Sequence, residues 1–307
     1  MKDVDLRGII PAIVTPMTPE GELDLPAMRR YIEWLAAQGP VALAVNVDTG
    51  EGPHLTADEK RQTLETVKEA ANGRCLVVAG IAGPSTAQGV ANAKGAQAAG
   101  ADAMLVFPIS AFLGQPLNPE VPYRYHAAIA EAVDLPMILF QLQPALGGVL
   151  YTAEILHRLI EIRSVTAIKE AAFDAMRFLQ VKAALESASR KITLLTGNDN
   201  FIFESFVLGA EGALLGFSTI GTREQVAMLE AVKQRDFAAG QELGNRLQPL
   251  ADVIFAPPVT DYRARTKEAL KMLGVIESTT VRPPLLPVSE SERGTIRRAL
   301  ERAGLLV

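Results

Sequence analysis

Ser164-Val-Thr-Ala-Ile-Lys169-Glu170 is a short apolar, β-branched run that ends in charge. That composition suits a strand buried on both faces, as in a parallel sheet covered by helices. A lysine at the end of such a strand loses hydration. Desolvation lowers its pKa toward the range where the free amine is a nucleophile. The competing reading is a lysine that has left the strand and reached solvent. The other lysines stand near the N-terminus or in polar, helix-like or loop surroundings.

The same pattern recurs outward from this stretch. Apolar runs at residues 8–15, 41–47, 75–79, 101–107 and 136–140 precede it, and runs at 191–196 and 212–217 follow. Helix-periodic segments lie between them. Met28, Tyr31, Ile32 and Leu35 recur at helical spacing, and Thr56 with Glu59 has the form of a capping box. Eight strand candidates alternating with helices over about 220 residues describe a (β/α)8 TIM barrel. A doubly wound sheet is disfavoured, because no Gly-x-Gly-x-x-Gly follows the first strand. After Phe217 the pattern is helix only, with helices expected at 223–248, 261–273 and 289–303. The expectation is a barrel over residues 1–222 and a C-terminal helical extension over 223–307, packed on the barrel or on another subunit.

The composition excludes several classes. The chain has 307 residues, 49% of them apolar, and a formal charge of −5. A large core is expected, and without a basic run nucleic acid is not an expected partner. The single cysteine, Cys75, cannot form an internal disulfide, which fits a cytoplasmic location. His54, His126 and His157 have no ligand spacing, so neither a metal nor another cofactor is expected. No apolar run approaches the roughly 18 residues of a membrane span, so no membrane association is expected.

In a barrel of this kind, chemistry gathers at the strand C-termini. Those ends carry Thr15, Asp48 to Glu51, Gly80, Phe107 to Ser110, Phe140 to Gln143, Lys169, Thr196 to Asn200, and Gly216 to Ser218. Lys169 thereby falls on the expected active face. Glu51 reads as a carboxylate that binds backbone donors around its loop, and Asp199 as the cap of the helix after the seventh strand. Arg177 and Arg263 read as surface charges, and His126 as a helix-face residue.

With these residues placed, the chain resembles the dihydrodipicolinate synthase / N-acetylneuraminate lyase superfamily over nearly its whole length. Pro11-Ala-Ile-Val-Thr15-Pro16, Thr49-Gly50-Glu51 followed by Leu55-Thr56, Ala99-Gly-Ala-Asp-Ala103, Ile168-Lys169-Glu170, Thr196-Gly-Asn-Asp199 and Gly209-Ala-Glu-Gly212 match its motifs in order. The resemblance implies a class I lyase. Lys169 would attack the ketone of a 2-oxo acid, usually pyruvate, and form an imine. The loop at Thr49 and Gly50 would hold the substrate carboxylate with a hydroxyl and backbone N–H groups. A homo-oligomer, dimer or tetramer, is also implied.

Departures from the family pattern set the remaining expectations. Phe140 stands where the family has a proton-transferring tyrosine, and Asp48 replaces the first loop threonine. Pro108-Ile109-Ser110 replaces a Pro-Tyr-Tyr, and Ala145 follows Pro144 where the synthases have an arginine nearby. Loss of a positioned acid/base costs about 10²–10⁴ in rate, so a substitute is needed. Asp48 is one candidate for it, with Gln141 or Gln143 replacing lost hydrogen bonds. Asp48 as a turn residue bonding only backbone is the other reading. The expected site is therefore Lys169 and Asp48 as catalysts, with Thr49, Gly50, Phe140, Gln141 and Leu215 binding substrate. Phe140, Ile109, Phe112, Leu142 and Phe217 would give a more apolar pocket, suited to a substrate less charged than a dicarboxylate. Two further outcomes follow from the same departures. One is an altered or inactive barrel that binds a small acid or sugar derivative, and the other a Schiff-base dehydratase or deaminase.

Overall fold

Each apolar run forms a strand, and the strands close on one another. The computed structural model describes residues 4–114 and 116–306. The strands are β1 (Ile9–Pro11), β2 (Ala42–Val45), β3 (Leu76–Ile81), β4 (Ala103–Val106), β5 (Met137–Leu142), β6 (Val165–Ala171), β7 (Thr193–Thr196) and β8 (Gly212–Leu215). They run parallel in the order β1-β8-β7-β6-β5-β4-β3-β2. The barrel closes between β1 and β2 through Val41 N–H donating to the Ile9 carbonyl at 3.0 Å and Ile13 N–H to that of Ala44 at 3.0 Å.

Helices follow the strands in turn: α1 (Leu25–Ala36), α2 (Ala57–Ala71), α3 (Thr86–Ala98), α4 (Glu120–Ala132), α5 (Ala153–Ile160), α6 (Ala175–Glu186), α7 (Ile202–Val207) and α8 (Thr222–Lys233). Several have capping side chains at the expected places. Thr56 and Glu59 make the capping box of α2, and Ser85, Thr152 and Asp174 cap α3, α5 and α6.

Alternation along the strands makes two apolar layers. Ile10, Ala44, Val78, Leu105, Ile138, Leu195 and Leu214 fill the barrel interior. Ile9, Leu43, Val77, Met104, Leu139 and Leu215 face the helices. On β6, Ala167 and Ala171 belong to the interior layer on either side of Lys169. Two small side chains thus leave the lysine room at the barrel mouth.

The sequence expectation of one helix over residues 223–248 is corrected. Residues 234–236 break it into α8 and α9 (Phe237–Ile254), with Arg235 in the left-handed region (φ 63°) and Asp236 capping α9. The first piece, α8, follows β8 as the earlier helices follow their strands, and the boundary expected after residue 222 falls at its start. The chain ends in α10 (Tyr262–Met272) and α11 (Glu290–Arg302).

Helix α10 is polar in sequence yet buried on nearly every side. Tyr262, Arg265, Thr266, Lys267 and Glu268 are each at most 5% exposed. Its charges are paired: Arg265 with Glu292 at 3.1 Å, Glu268 with Arg293 at 2.9 Å, and Lys267 with Glu51 at 2.6 Å. Neither side chain of the Lys267–Glu51 pair has any exposed surface. Lys267 thus stands in the polar, helical surroundings expected of it, but without any exposed surface. Buried ion pairs of this kind need good geometry to offset their desolvation. Here Lys267 Nζ also donates to the Thr280 carbonyl, and Glu51 accepts from the Arg282 N–H. Glu51 does bind a backbone donor as expected, but from the C-terminal tail rather than its own loop.

Among the described residues no helix is long and apolar enough to cross a membrane.

Candidate active site

Lys169 stands at the mouth of the barrel, partly exposed to a cavity of about 50 Å³. Its neighbour in the β5–β6 register is Phe140, whose ring centroid lies 4.3 Å from the lysine Nζ. Among the described residues Lys169 makes no ion pair within 4.0 Å. Burial lowers its pKa to about 8 against the opposing pull of Asp199 and Asp48. An amine with that pKa is about one-tenth unprotonated at neutral pH, where an ordinary lysine is almost wholly charged.

Close packing sets the lysine's direction. A Cβ on Gly197 would stand 2.7 Å from Lys169 Cε, so a glycine there is what lets the side chain pass. Glu170, the next residue, points away from the cavity. Its carboxylate is fully buried and accepts from Gln141 Nε2 at 3.0 Å, Asn198 Nδ2 at 2.7 Å and the Ala172 N–H at 2.9 Å. These bonds anchor β6 from outside while Lys169 faces in.

Asp199 is corrected from a helix cap to a cavity residue. The N-cap position of α7 is Phe201, with no side-chain bond, whereas Asp199 Oδ1 accepts from the Phe217 N–H at 3.0 Å. Asp199 lines the cavity with Lys169. Burial raises its pKa to about 7, with the Phe217 N–H and then Lys169 opposing.

Asp48 also lines the cavity, in a 3₁₀ turn over Asp48–Gly50 after β2. Its Oδ2 accepts from the Tyr262 hydroxyl at 2.9 Å and from Arg263 Nη2 at 2.5 Å. Arg263 is thus a partner of the site and not a surface charge. Thr49 lines the cavity too, with its Oγ1 3.3 Å from the Tyr262 hydroxyl. The turn-only reading of Asp48 is set aside by these side-chain partners.

Other expected binding residues fall elsewhere. Phe140 and Leu142 line the cavity, and Ile109 lines the wider cleft of about 600 Å³ that shares Val47, Asp48, Phe107, Leu142 and Leu146 with it. Gln141 does not reach it, because alternation turns it toward the helices, where its Oε1 accepts from the Tyr151 N–H. Leu215 likewise faces the helix layer, and Gly216 takes its place at the cavity. Phe112 and Phe217 are core residues of that outer layer. Gly50 spends its N–H on the Val47 carbonyl and its carbonyl on Thr15 Oγ1 at 2.7 Å, so it shapes the turn without lining the cavity. His126 is wholly buried on α4, its Nδ1 2.7 Å from the Pro122 carbonyl, and burial lowers its pKa to about 4. Arg177 donates to the Tyr151 carbonyl.

The residues that sequence reading missed come mainly from the C-terminal extension. Tyr262 and Phe255 line the cavity with their rings stacked, centroids 4.8 Å apart. A Cβ on Gly216 would approach Phe255 to 3.0 Å, Tyr262 to 3.2 Å and Thr49 Oγ1 to 3.3 Å, so the end of β8 is shaped to admit them. Among the described residues no group of three or more His, Cys, Asp or Glu side chains could hold a metal ion.

Comparison with known proteins was made on both sequence and fold. Residues 5–303 match the dihydrodipicolinate synthetase family. The chain is similar to the 4-hydroxy-tetrahydrodipicolinate synthase of Gluconacetobacter diazotrophicus, with 30% identity over the whole of both chains. It is 34% identical to that of an Anaeromyxobacter species, covering 98% of each. The fold is similar to dihydrodipicolinate synthase from Thermotoga maritima, with a TM-score of 0.89, 27% identity and coverage of 98% and 99%. It is also similar to the Acinetobacter baumannii synthase in complex with pyruvate, with a TM-score of 0.87, 29% identity and coverage of 98% and 100%.

Proposed function

This chain belongs to the dihydrodipicolinate synthetase family and is a lyase-type enzyme, and we propose that it acts by forming an imine between Lys169 and a 2-oxo acid such as pyruvate. The observation that carries the proposal is a lysine with lowered pKa and, among the described residues, no ion pair, aimed into a cavity beside a carboxyl group of raised pKa. In the proposed step the amine adds to the ketone carbon, and a carbinolamine results. The C–O bond then breaks, oxygen leaves as water, and the protonated imine takes up one proton net. Asp199 supplies that proton. The imine accepts electrons from a bond at the adjacent carbon, so aldol cleavage, dehydration and deamination can all use it.

Arg263 is committed to Asp48, and among the described residues no arginine lines the cavity or the adjoining cleft, where Lys60 is the one cation. This supports a second substrate, or a substrate tail, less charged than a dicarboxylate. The same reading includes an assembly of identical chains, dimer or tetramer, as the family likeness implies. A reducing cytoplasm suits the free, buried Cys75.

The test is intact-mass spectrometry after borohydride reduction with pyruvate present. One adduct mapping to Lys169 is expected. No adduct with pyruvate or with a panel of 2-oxo acids would overturn the reading.

A pH profile follows from the two shifted groups. With Lys169 near 8 and Asp199 near 7, the pair holds two protons below about 7, one between, and none above about 8. Addition needs an unprotonated amine and one proton still available, which is the one-proton state. Imine formation is expected to be bell-shaped, rising through about 7 and falling through about 8. Asp199→Asn should remove the falling limb and leave a single rise with pH. A bell that persists in this variant would assign the second proton elsewhere.

A further inference from the structure

Phe140 cannot carry a proton, yet the first adduct of amine and ketone must lose one from nitrogen and gain one on oxygen to become the carbinolamine. Resting on the imine reading, we propose that Tyr262, delivered by the C-terminal extension, is the proton shuttle of this site. Tyr262 is the one tyrosine that lines the Lys169 cavity among the described residues. The ring is fixed by the Phe255 stack and by the close approach that Gly216 permits. The hydroxyl is aimed by Asp48 Oδ2 at 2.9 Å and flanked by Thr49 Oγ1 at 3.3 Å, and Arg263 holds Asp48 in place. Asp48, Thr49 and Arg263 are then positioning residues.

The shuttle balances without charge on the ring. The phenol oxygen accepts the proton leaving the ammonium nitrogen of the first adduct as its own hydrogen passes to the alkoxide oxygen, which gives the neutral carbinolamine and leaves Tyr262 as it began. The hydroxyl then takes the proton from Asp199, the C–O bond breaks, the oxygen departs as water and the protonated imine remains. Burial, reinforced by Asp48, lifts the phenol's pKa well above its ordinary value, which suits a group that stays neutral throughout.

Tyr262→Phe tests the shuttle, since it keeps the ring and its stack and removes only the hydroxyl. The measurement is the time course of borohydride-trapped adduct with pyruvate, by quenched flow and mass spectrometry. The expected result is a rate lower by about 10²–10⁴-fold with the final extent of adduct unchanged. Adding Phe140→Tyr places a phenol on a ring already 4.3 Å from Lys169 Nζ, and is expected to restore at least about tenfold of the lost rate. A wild-type rate in Tyr262→Phe overturns the assignment. So does a loss that Phe140→Tyr fails to relieve, which would mark Tyr262 as structural. Absence of adduct in the wild-type chain is a separate result, and it overturns the imine reading and this one with it.

Discussion

Lys169→Met is expected to abolish the trapped adduct and to cut turnover by on the order of 10⁴-fold or more, as removal of a covalent nucleophile does. Methionine keeps most of the side-chain stem, so the space between Ala167 and Ala171 stays filled and the loss reports the amine alone. Lys169→Arg should fail equally, because a guanidinium remains protonated at any working pH and cannot add to a ketone. Stability should move the other way. The folded pKa of about 8 lies below the ordinary lysine value of 10.5, so the charged form is disfavoured by folding. Below the lower value this lysine weakens the fold, and the penalty fades as pH rises toward 10.5. Lys169→Met should therefore unfold at a temperature equal to or above the wild type at pH 7. A variant with no turnover and a clearly lower unfolding temperature would argue for a structural lysine.

The largest stability effect is expected at the pair Lys267–Glu51. Both side chains are without exposed surface, and Lys267 also satisfies the Thr280 carbonyl. Lys267→Met leaves the buried Glu51 carboxylate without its cation and the part-buried Thr280 carbonyl without this donor, at a cost of about 3–5 kcal/mol. In a chain of this size that corresponds to a fall of roughly 5–8 °C in unfolding temperature. The double change Glu51→Gln with Lys267→Met removes both charges and should lose less than Lys267→Met alone. Calorimetry of the three variants decides the matter. Equal losses for single and double variants would show that the cost is packing and not charge. The effect should also reach the chemistry, since Glu51 holds a left-handed backbone (φ 56°) two residues from Thr49.

The barrel was legible because its signal is local. Each strand is a short apolar run between turn residues, and a run of that kind reads the same wherever its partners lie. Lys169 was legible for a related reason, as a charge closing a buried strand. Gln141 and Leu215 were misplaced although strand parity could have corrected them. Phe140 pairs with Lys169 across β5 and β6, which sends the next residue to the opposite face. Asp199 was misread because Gly197-Asn198-Asp199 has the composition of a helix entry, and only the neighbouring turn of Phe217 shows where its carboxylate goes. Tyr262, Arg263 and Lys267 were out of reach of any local rule. Their partners at residues 48 and 51 lie more than 200 positions away, and the polarity of α10 suggests an exposed helix. Burial there rests on pairing, which sequence periodicity does not register.

The docking of α10 on the turn after β2 gives synthesis an order. A nascent chain has all eight strands once it passes residue 215, yet it still lacks Tyr262, Arg263 and the two tail groups that hold Glu51, Lys267 and Arg282. At about 5–20 residues per second, several seconds separate the last strand from the last of these groups. During that interval the barrel can close, but the turn bearing Asp48 and Thr49 lacks every contact it takes from Tyr262, Arg263, Lys267 and Arg282. A chain interrupted in that window carries Lys169 without a finished cavity around it. The cavity around Lys169 is thereby complete only once the tail has been made.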